Sequence, residues 1–286
     1  MANNRCDTSS GEQRCRICAG EPDFDFTMAF QPLVDLTARR VYGYEALVRG
    51  INGEGAGEVL SRLTRSTLYR FDQACRIKAL EIAHKLGART LLSINFLPNA
   101  VYEPASCIQA TLEVSERLGW PARQISFEIT ETEYVRDRGH MQRIIDTYRE
   151  MGFRTALDDF GTGYANLDLL VDLNPDVLKL DRALIQDIHQ DRRKQAIVDG
   201  IIQTASALDI GLLAEGVEVV AEARWLYREG ITHHQGFLYA RPEIEALPVV
   251  DSRLIDSIVE SSDTDPSRTR LAENRWTAQQ GIGSPV

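Results

Sequence analysis

Two adjacent carboxylates, Asp158 and Asp159, end an apolar run and open a glycine turn in R-T-A-L-D-D-F-G-T-G, residues 154–163. Thr155, Ala156 and Leu157 read as a buried strand, which puts both acids at or just past its C-terminal end. Neighbouring carboxylates repel and lose solvation unless a cation sits between them. A divalent metal ion, or two, meets that need. The plain alternative is a solvated D-D turn, which suits the turn preferences of Asp and Gly.

Other short apolar runs decide between these readings, because each carries one polar residue. Glu45 lies near the end of G-Y-E-A-L-V-R, and Asn95 near the end of L-L-S-I-N-F. Glu128 sits in I-S-F-E-I-T, with Glu131 shortly after it. Lys179 lies in V-L-K-L-D, Glu215 ends L-L-A-E-G-V with Glu218 just beyond, and Gln235 belongs to the last apolar run. Burying such groups singly is costly. Placed near one rim of successive strands, they describe a shared site. Glu45, Glu128, Asp158, Asp159 and Glu215 with Asn95 form an all-oxygen donor set, and hard oxygen ligands select Mg²⁺ or Mn²⁺ over zinc.

The elements that must position these residues follow a strand–helix beat. Strands are expected from Phe26 and over 41–49, joined as an antiparallel hairpin by T-A-R-R, and then a glycine-rich loop. A helix runs through about Lys85, stopped by Gly87. Strands at 91–96, 124–130, 155–160, 177–181 and 210–217 alternate with helices over 106–118, 140–151 and 164–173, a long one through about Leu208, and 220–229. The long helix shows a stripe of Ile197, Ile201, Ile202 and Ala205. A last strand precedes Arg241-Pro242. Such alternation means a mainly parallel sheet with covered faces. Eight strands without a Rossmann glycine fingerprint favour a closed α/β barrel.

Composition narrows the function. The 286 residues can bury a full core, and 43% apolar with 26% charged residues is ordinary for a globular chain. The net charge of −10 argues against a nucleic-acid polymer as partner. It leaves room for a small anion, because bound metal reverses the local field. No apolar stretch has the length of a membrane span and the N-terminus is no signal peptide, so no membrane partner and a cytoplasmic location are expected.

The ordered motifs F-Q-P-L-V-D-L, Y-E-A-L-V-R, S-I-N-F, F-E-I-T-E, L-D-D-F-G-T-G-Y, L-K-L-D, A-E-G-V-E and Q-G-F-L-Y-A-R-P resemble the EAL-domain phosphodiesterases that hydrolyse cyclic di-GMP. The resemblance covers about Phe26 to Pro242. It implies a modified TIM (β/α)8 barrel with one antiparallel strand, and two metal ions per site, Mg²⁺ or Mn²⁺. The positions matching Glu45, Asn95, Glu128 and Asp158 would hold one ion, and those matching Asp158, Asp159 and Glu215 the other. Lys179 would help hold the attacking water or phosphate, and Glu131 would steady the D-D-F-G-T-G loop. Glu218 and Gln235 would line the site, while Gln31 and Arg49 match positions near the dinucleotide. The implied product is linear pGpG. A catalytically silent cyclic di-GMP receptor or a protein-interaction module is the alternative.

Two positions depart from the family pattern. Gly50 stands where an aromatic residue is common, and Thr232 where an Asp often precedes Q-G, followed by the pair His233-His234. Adjacent residues of a strand point to opposite faces, so the His pair reads as structural. The expected organisation is an arm over 1–23, a phosphodiesterase domain over 24–250, and a C-terminal helix and disordered tail over 251–286. Cys75 and Cys107 fall in helical patterns and read as plain core or helix-surface residues. Cys6, Cys15 and Cys18 on the arm read as solvated thiols, against a zinc or redox switch that lacks a nearby fourth ligand. Regulation would enter through the arm, the tail, a second protein or a homodimer.

Overall fold

The computed structural model describes residues 24–64, 67–101, 103–130, 138–161 and 167–263. Cys6, Cys15, Cys18, Glu131 and the expected tail beyond residue 263 lie outside the described residues.

The apolar runs form strands where their pattern predicts them, except that the last is cut to His233–His234 and leaves Gln235 in the turn that follows. β1 (Phe26–Asp35) and β2 (Arg40–Gly50) are joined by a tight turn, in which the Asp35 carboxylate accepts the Ala38 N–H at 2.9 Å. The expected glycine-rich loop contains a short helix, α1 (Ala56–Ser61). Next come α2 (Leu68–Lys85), β3 (Leu91–Asn95), α3 (Pro104–Cys107), α4 (Gln109–Leu118), β4 (Ile125–Thr130) and α5 (Arg138–Glu150). β5 (Arg154–Phe160), α6 (Leu167–Leu173), β6 (Val177–Leu180), α7 (Arg182–Ile185), α8 (Arg192–Ala207) and β7 (Gly211–Ala214) follow. The described chain closes with α9 (Val220–Arg228), β8 (His233–His234), β9 (Glu243–Ile244) and α10 (Ser252–Asp263).

The strand order is β2-β3-β4-β5-β6-β7-β8-β1, with β1 also paired to β2, and β9 stands outside the ring beside β1. This is a closed eight-stranded barrel. β2/β3, β3/β4, β5/β6, β6/β7 and β7/β8 pair in parallel, while β1 runs antiparallel to β8. The tight β1–β2 turn accounts for the reversed strand, since a parallel connection needs a crossover of a dozen or more residues.

The chain divides into two compact units. The first runs to Gln31 and includes Gly43–Thr155 and Pro242–Pro248. Its interior holds Leu80, Ile94, Phe96, Phe127, Tyr148 and Phe153, each 3% exposed or less. The second unit includes Pro32–Tyr42, Ala156–Arg241 and the chain from Val249. Its core joins Leu157, Leu178, Leu180, Leu212 and Ala214 of the strands to Val198, Leu226, Ile255 and Ile258 of the helices. In α8 the expected stripe holds at Ile201, Ile202 and Ala205 and departs at one position. Val198 is fully buried while Ile197 is 53% exposed. Val198 lines up with Ile201, Ile202 and Ala205 at i, i+3, i+4 and i+7, and these pack in the core, so Ile197 alone of the expected stripe falls outside it. α10 belongs to this core, with Ile255, Ile258 and Val259 buried at helical spacing.

Candidate metal centre

Every residue of the expected donor set sits on or beside a strand of this sheet. In the first unit the register pairs Glu45 with Ser93, and Asn95 with Glu128. Glu45 and Glu128 are 5% and 1% exposed, so both carboxylates need partners. The Asn95 amide supplies them, with its Nδ2 donating to Glu45 Oε1 at 2.8 Å and to Glu128 Oε2 at 3.3 Å. Ser93 donates to Glu128 Oε1 at 2.5 Å. Ser93 and Asn95 share one face of β3, being two residues apart. Gln31 is buried on β1. Arg49 turns back to donate to the carbonyl of Val48 at 2.8 Å. Burial pulls its guanidinium below the ordinary value, opposed by the charge of Glu45.

The second unit carries the acid pair. A regular strand would send Asp158 and Asp159 to opposite faces. β5 is not regular here: three steps from Leu157 to Phe160 face two steps of β6, from Leu178 to Leu180. That extra residue is a bulge, a device that re-aims side chains. Asp159 adopts the left-handed φ of +58°, which Asp tolerates better than most residues. As a result Asp158, Asp159 and Glu215 each offer an oxygen within 4.8 Å of the others.

Lys179 on β6 is 1% exposed. Its ammonium lies 3.0 Å from Asp158 Oδ1 and 2.7 Å from Glu215 Oε1. A buried ammonium between two carboxylates balances charge that would otherwise be expelled to water. Glu218 stands apart from this trio. It is held at the surface by Arg182, whose Nε and Nη2 atoms donate to its two oxygens, each at 3.1 Å. Gln235 is 4% exposed, in the turn after β8.

The two departures have structural accounts. A Cβ at Gly50 would stand 2.1 Å from Glu54 Oε2. The Glu54 carboxylate accepts Asn52 N–H at 2.9 Å and pairs with Arg62 at 3.1 Å, so the loop folds over the missing side chain. Thr232, His233 and His234 are all buried. Thr232 Oγ1 lies 3.2 Å from His233 Nδ1, and His233 Nε2 lies 3.7 Å from Asp35. His234 Nδ1 meets the Tyr239 hydroxyl at 2.7 Å, and its Nε2 meets the Ile231 carbonyl at 2.9 Å. Cys75 and Cys107 are buried and not joined in a disulfide.

Ser93 and Arg182 were not among the expected site residues. The two-residue spacing from Asn95 pointed to Ser93. Arg182 had no sequence signal, since its partner Glu218 lies 36 residues away.

The donor set can be tested for fit to hard divalent cations. All six groups offer oxygen. Two nitrogen donors of the chain, the Asn95 amide and the Lys179 ammonium, already stand between pairs of these carboxylates. Positive character is what both clusters recruit. The residues fit a hard divalent cation.

The EAL domain matches residues 23–242, and the chain belongs to the EAL domain family. Among solved structures it is similar to a standalone EAL protein of Vibrio cholerae O395 in its c-di-GMP bound form. Identity there is 48% at a TM-score of 0.79, over 81% of this chain and 98% of that one. It is also similar to Klebsiella pneumoniae BlrP1 in a manganese and cyclic di-GMP complex, 33% identical at a TM-score of 0.74, over 80% of this chain and 58% of that one. Among curated proteins of Escherichia coli, the blue light- and temperature-regulated antirepressor BluF is 29% identical over 82% of this chain. The probable cyclic di-GMP phosphodiesterase PdeI is 32% identical over 75% of it. The chain spans 58% of the length of BluF and 28% of PdeI. Among the described residues no helix is long and apolar enough to cross a membrane.

Proposed function

We propose that this protein is a metal-dependent phosphodiesterase that hydrolyses cyclic di-GMP to linear pGpG. The observation that carries this reading is the Asp158, Asp159 and Glu215 trio, whose oxygens lie within 4.8 Å of one another beside buried Lys179. Nothing in core packing asks for three acids and one base at strand ends. In a parallel barrel those ends form the rim where chemistry is done.

In this reading Glu45, Asn95, Glu128 and Asp158 hold one Mg²⁺ or Mn²⁺ ion, and Asp158, Asp159 and Glu215 a second. Two such ions supply water activation near neutral pH and neutralise phosphodiester charge. The chain's own residues do the rest. Ser93 fixes the Glu128 carboxylate, and the bulge at Asp158 presents two consecutive acids to one place. Lys179 Nζ places positive charge where negative charge builds on the phosphate. Gln31, Arg49 and Gln235 contact the dinucleotide, and Glu131 supports the loop after Asp159. Glu218, held open by Arg182, borders the site. The catalytic domain occupies residues 24–250 of a cytoplasmic protein.

The test is turnover of wild type against Glu45→Ala with Mn²⁺ present. Loss of hydrolysis in a folded variant supports the assignment, and retained turnover removes it. BluF, named an antirepressor, supports a second reading as a catalytically silent regulator. Binding without product in the wild type would select it.

A further inference from the structure

Behind the first unit's carboxylates lies a charged pair that the proposed chemistry does not use. Asp72 and Arg76, one turn apart on α2, are 3% and 1% exposed and form an ion pair through Asp72 Oδ2. Replacing such a pair with apolar side chains is often neutral or stabilising, so stability alone does not account for it. Its other contacts point to the site. Asp72 Oδ1 accepts the N–H of Leu97 at 2.8 Å, two residues beyond Asn95. Arg76 donates to the Tyr148 hydroxyl at 3.2 Å and lies 5.7 Å from the centre of the Phe127 ring. Phe127 immediately precedes Glu128.

The two strand ends are tied together at the same level. Phe96 N–H donates to the Glu128 carbonyl at 3.1 Å. The Phe127 ring packs against Phe96 at 5.9 Å and Tyr148 at 5.0 Å. Side chains alternate along a strand, so Phe96 and Phe127 face away from Asn95 and Glu128. The charged pair grips the outer face, and the oxygen donors occupy the inner one.

We propose that Asp72 and Arg76 are positioning residues for Asn95 and Glu128. The pair holds the Leu97 backbone and the Phe127 ring, and these fix the two donors to each other. This inference rests on the metal reading of the same site.

The experiment titrates the full chain with Mn²⁺ by calorimetry and records its melting temperature. Asp72→Leu with Arg76→Met removes both charges and the acceptor for Leu97. Asp72→Asn with Arg76→Met removes both charges but keeps an amide oxygen for Leu97. Neither leaves a lone buried charge, so both are expected to fold. The Leu/Met variant should bind Mn²⁺ about tenfold more weakly than wild type, the lower end of the range for residues that support metal ligands. The Asn/Met variant should recover most of that loss at a similar melting temperature. A folded Leu/Met variant with wild-type affinity overturns the inference and leaves the metal reading standing. A wild type that takes up no Mn²⁺ overturns both. Where the Leu/Met variant does not fold, Tyr148→Phe replaces it. It removes one hydroxyl and no charge, and should weaken binding by up to about tenfold, the lower end of the same range. Unchanged affinity there overturns the inference.

Discussion

The backbone N–H of Asp159 donates to the carboxylate of Asp158 at 3.0 Å, across a bulge that gives Asp159 a left-handed φ of +58°. Two consecutive acids thereby serve one cluster instead of opposite faces of a strand. Asn tolerates that backbone conformation as Asp does, so Asp159→Asn changes the charge without straining the chain. We expect hydrolysis to fall by about 100-fold or more in this variant, on the scale lost with a group that stabilises transition-state charge. The circular dichroism and melting temperature should stay near wild type. Turnover within a few-fold of wild type would contradict the role given to Asp159.

Lys179 predicts a metal-linked stability change. Lys179→Met leaves Asp158 and Glu215 without the ammonium between them. Breaking a buried pair costs about 3–5 kcal/mol. The variant should melt well below wild type in chelator, and Mn²⁺ should raise its melting temperature more than it raises that of wild type. A wild-type melt in chelator would show that the ammonium does not balance these acids.

Gly50 tests whether the loop fold accounts for the departure from the family pattern. Gly50→Ala drives a methyl group against Glu54 and should lower the melting temperature by about 2–4 °C. Adding Glu54→Ala should recover part of that shift, because the carboxyl atoms that lie 2.1 and 2.5 Å from the new methyl are gone. Additive losses would mean that the two residues are not coupled.

His234 predicts a feature of the acid limb of stability. The Ile231 carbonyl can only accept, so Nε2 carries the ring proton and Nδ1 accepts from Tyr239. Burial holds the ring's pKa down at about 3, from an ordinary 6.5. The unfolded chain therefore takes up a proton below 6.5 that the folded chain refuses until about 3, and stability falls as pH drops through that window. His234→Gln should flatten that fall when denaturation midpoints are followed against pH. An unchanged slope would assign the acid sensitivity to other groups.

Much of this was legible in the chain. A polar residue inside an apolar strand stands out because burying it is costly, and that marked Glu45, Asn95, Glu128, Lys179 and Glu215. Gly87 and Gly119 marked helix ends, and both adopt the positive φ that such ends use. Less could be read where geometry lies between distant residues. The bulge that unites Asp158 and Asp159 depends on the register against β6. Asp72 and Arg76 sit in a helical pattern like solvated residues, and only the packed structure shows that they are buried. Ile197 and Val198 are both apolar and β-branched, so which of the two joins Ile201, Ile202 and Ala205 in the core was beyond the pattern.

The central claim is tested most directly by one assay. Purified protein is incubated with cyclic di-GMP and Mn²⁺, and the nucleotides are separated over time. The account predicts conversion to pGpG that stops with chelator and resumes when Mn²⁺ is restored. Cyclic di-GMP that is bound by the protein yet stays intact with Mn²⁺ or Mg²⁺ would contradict it.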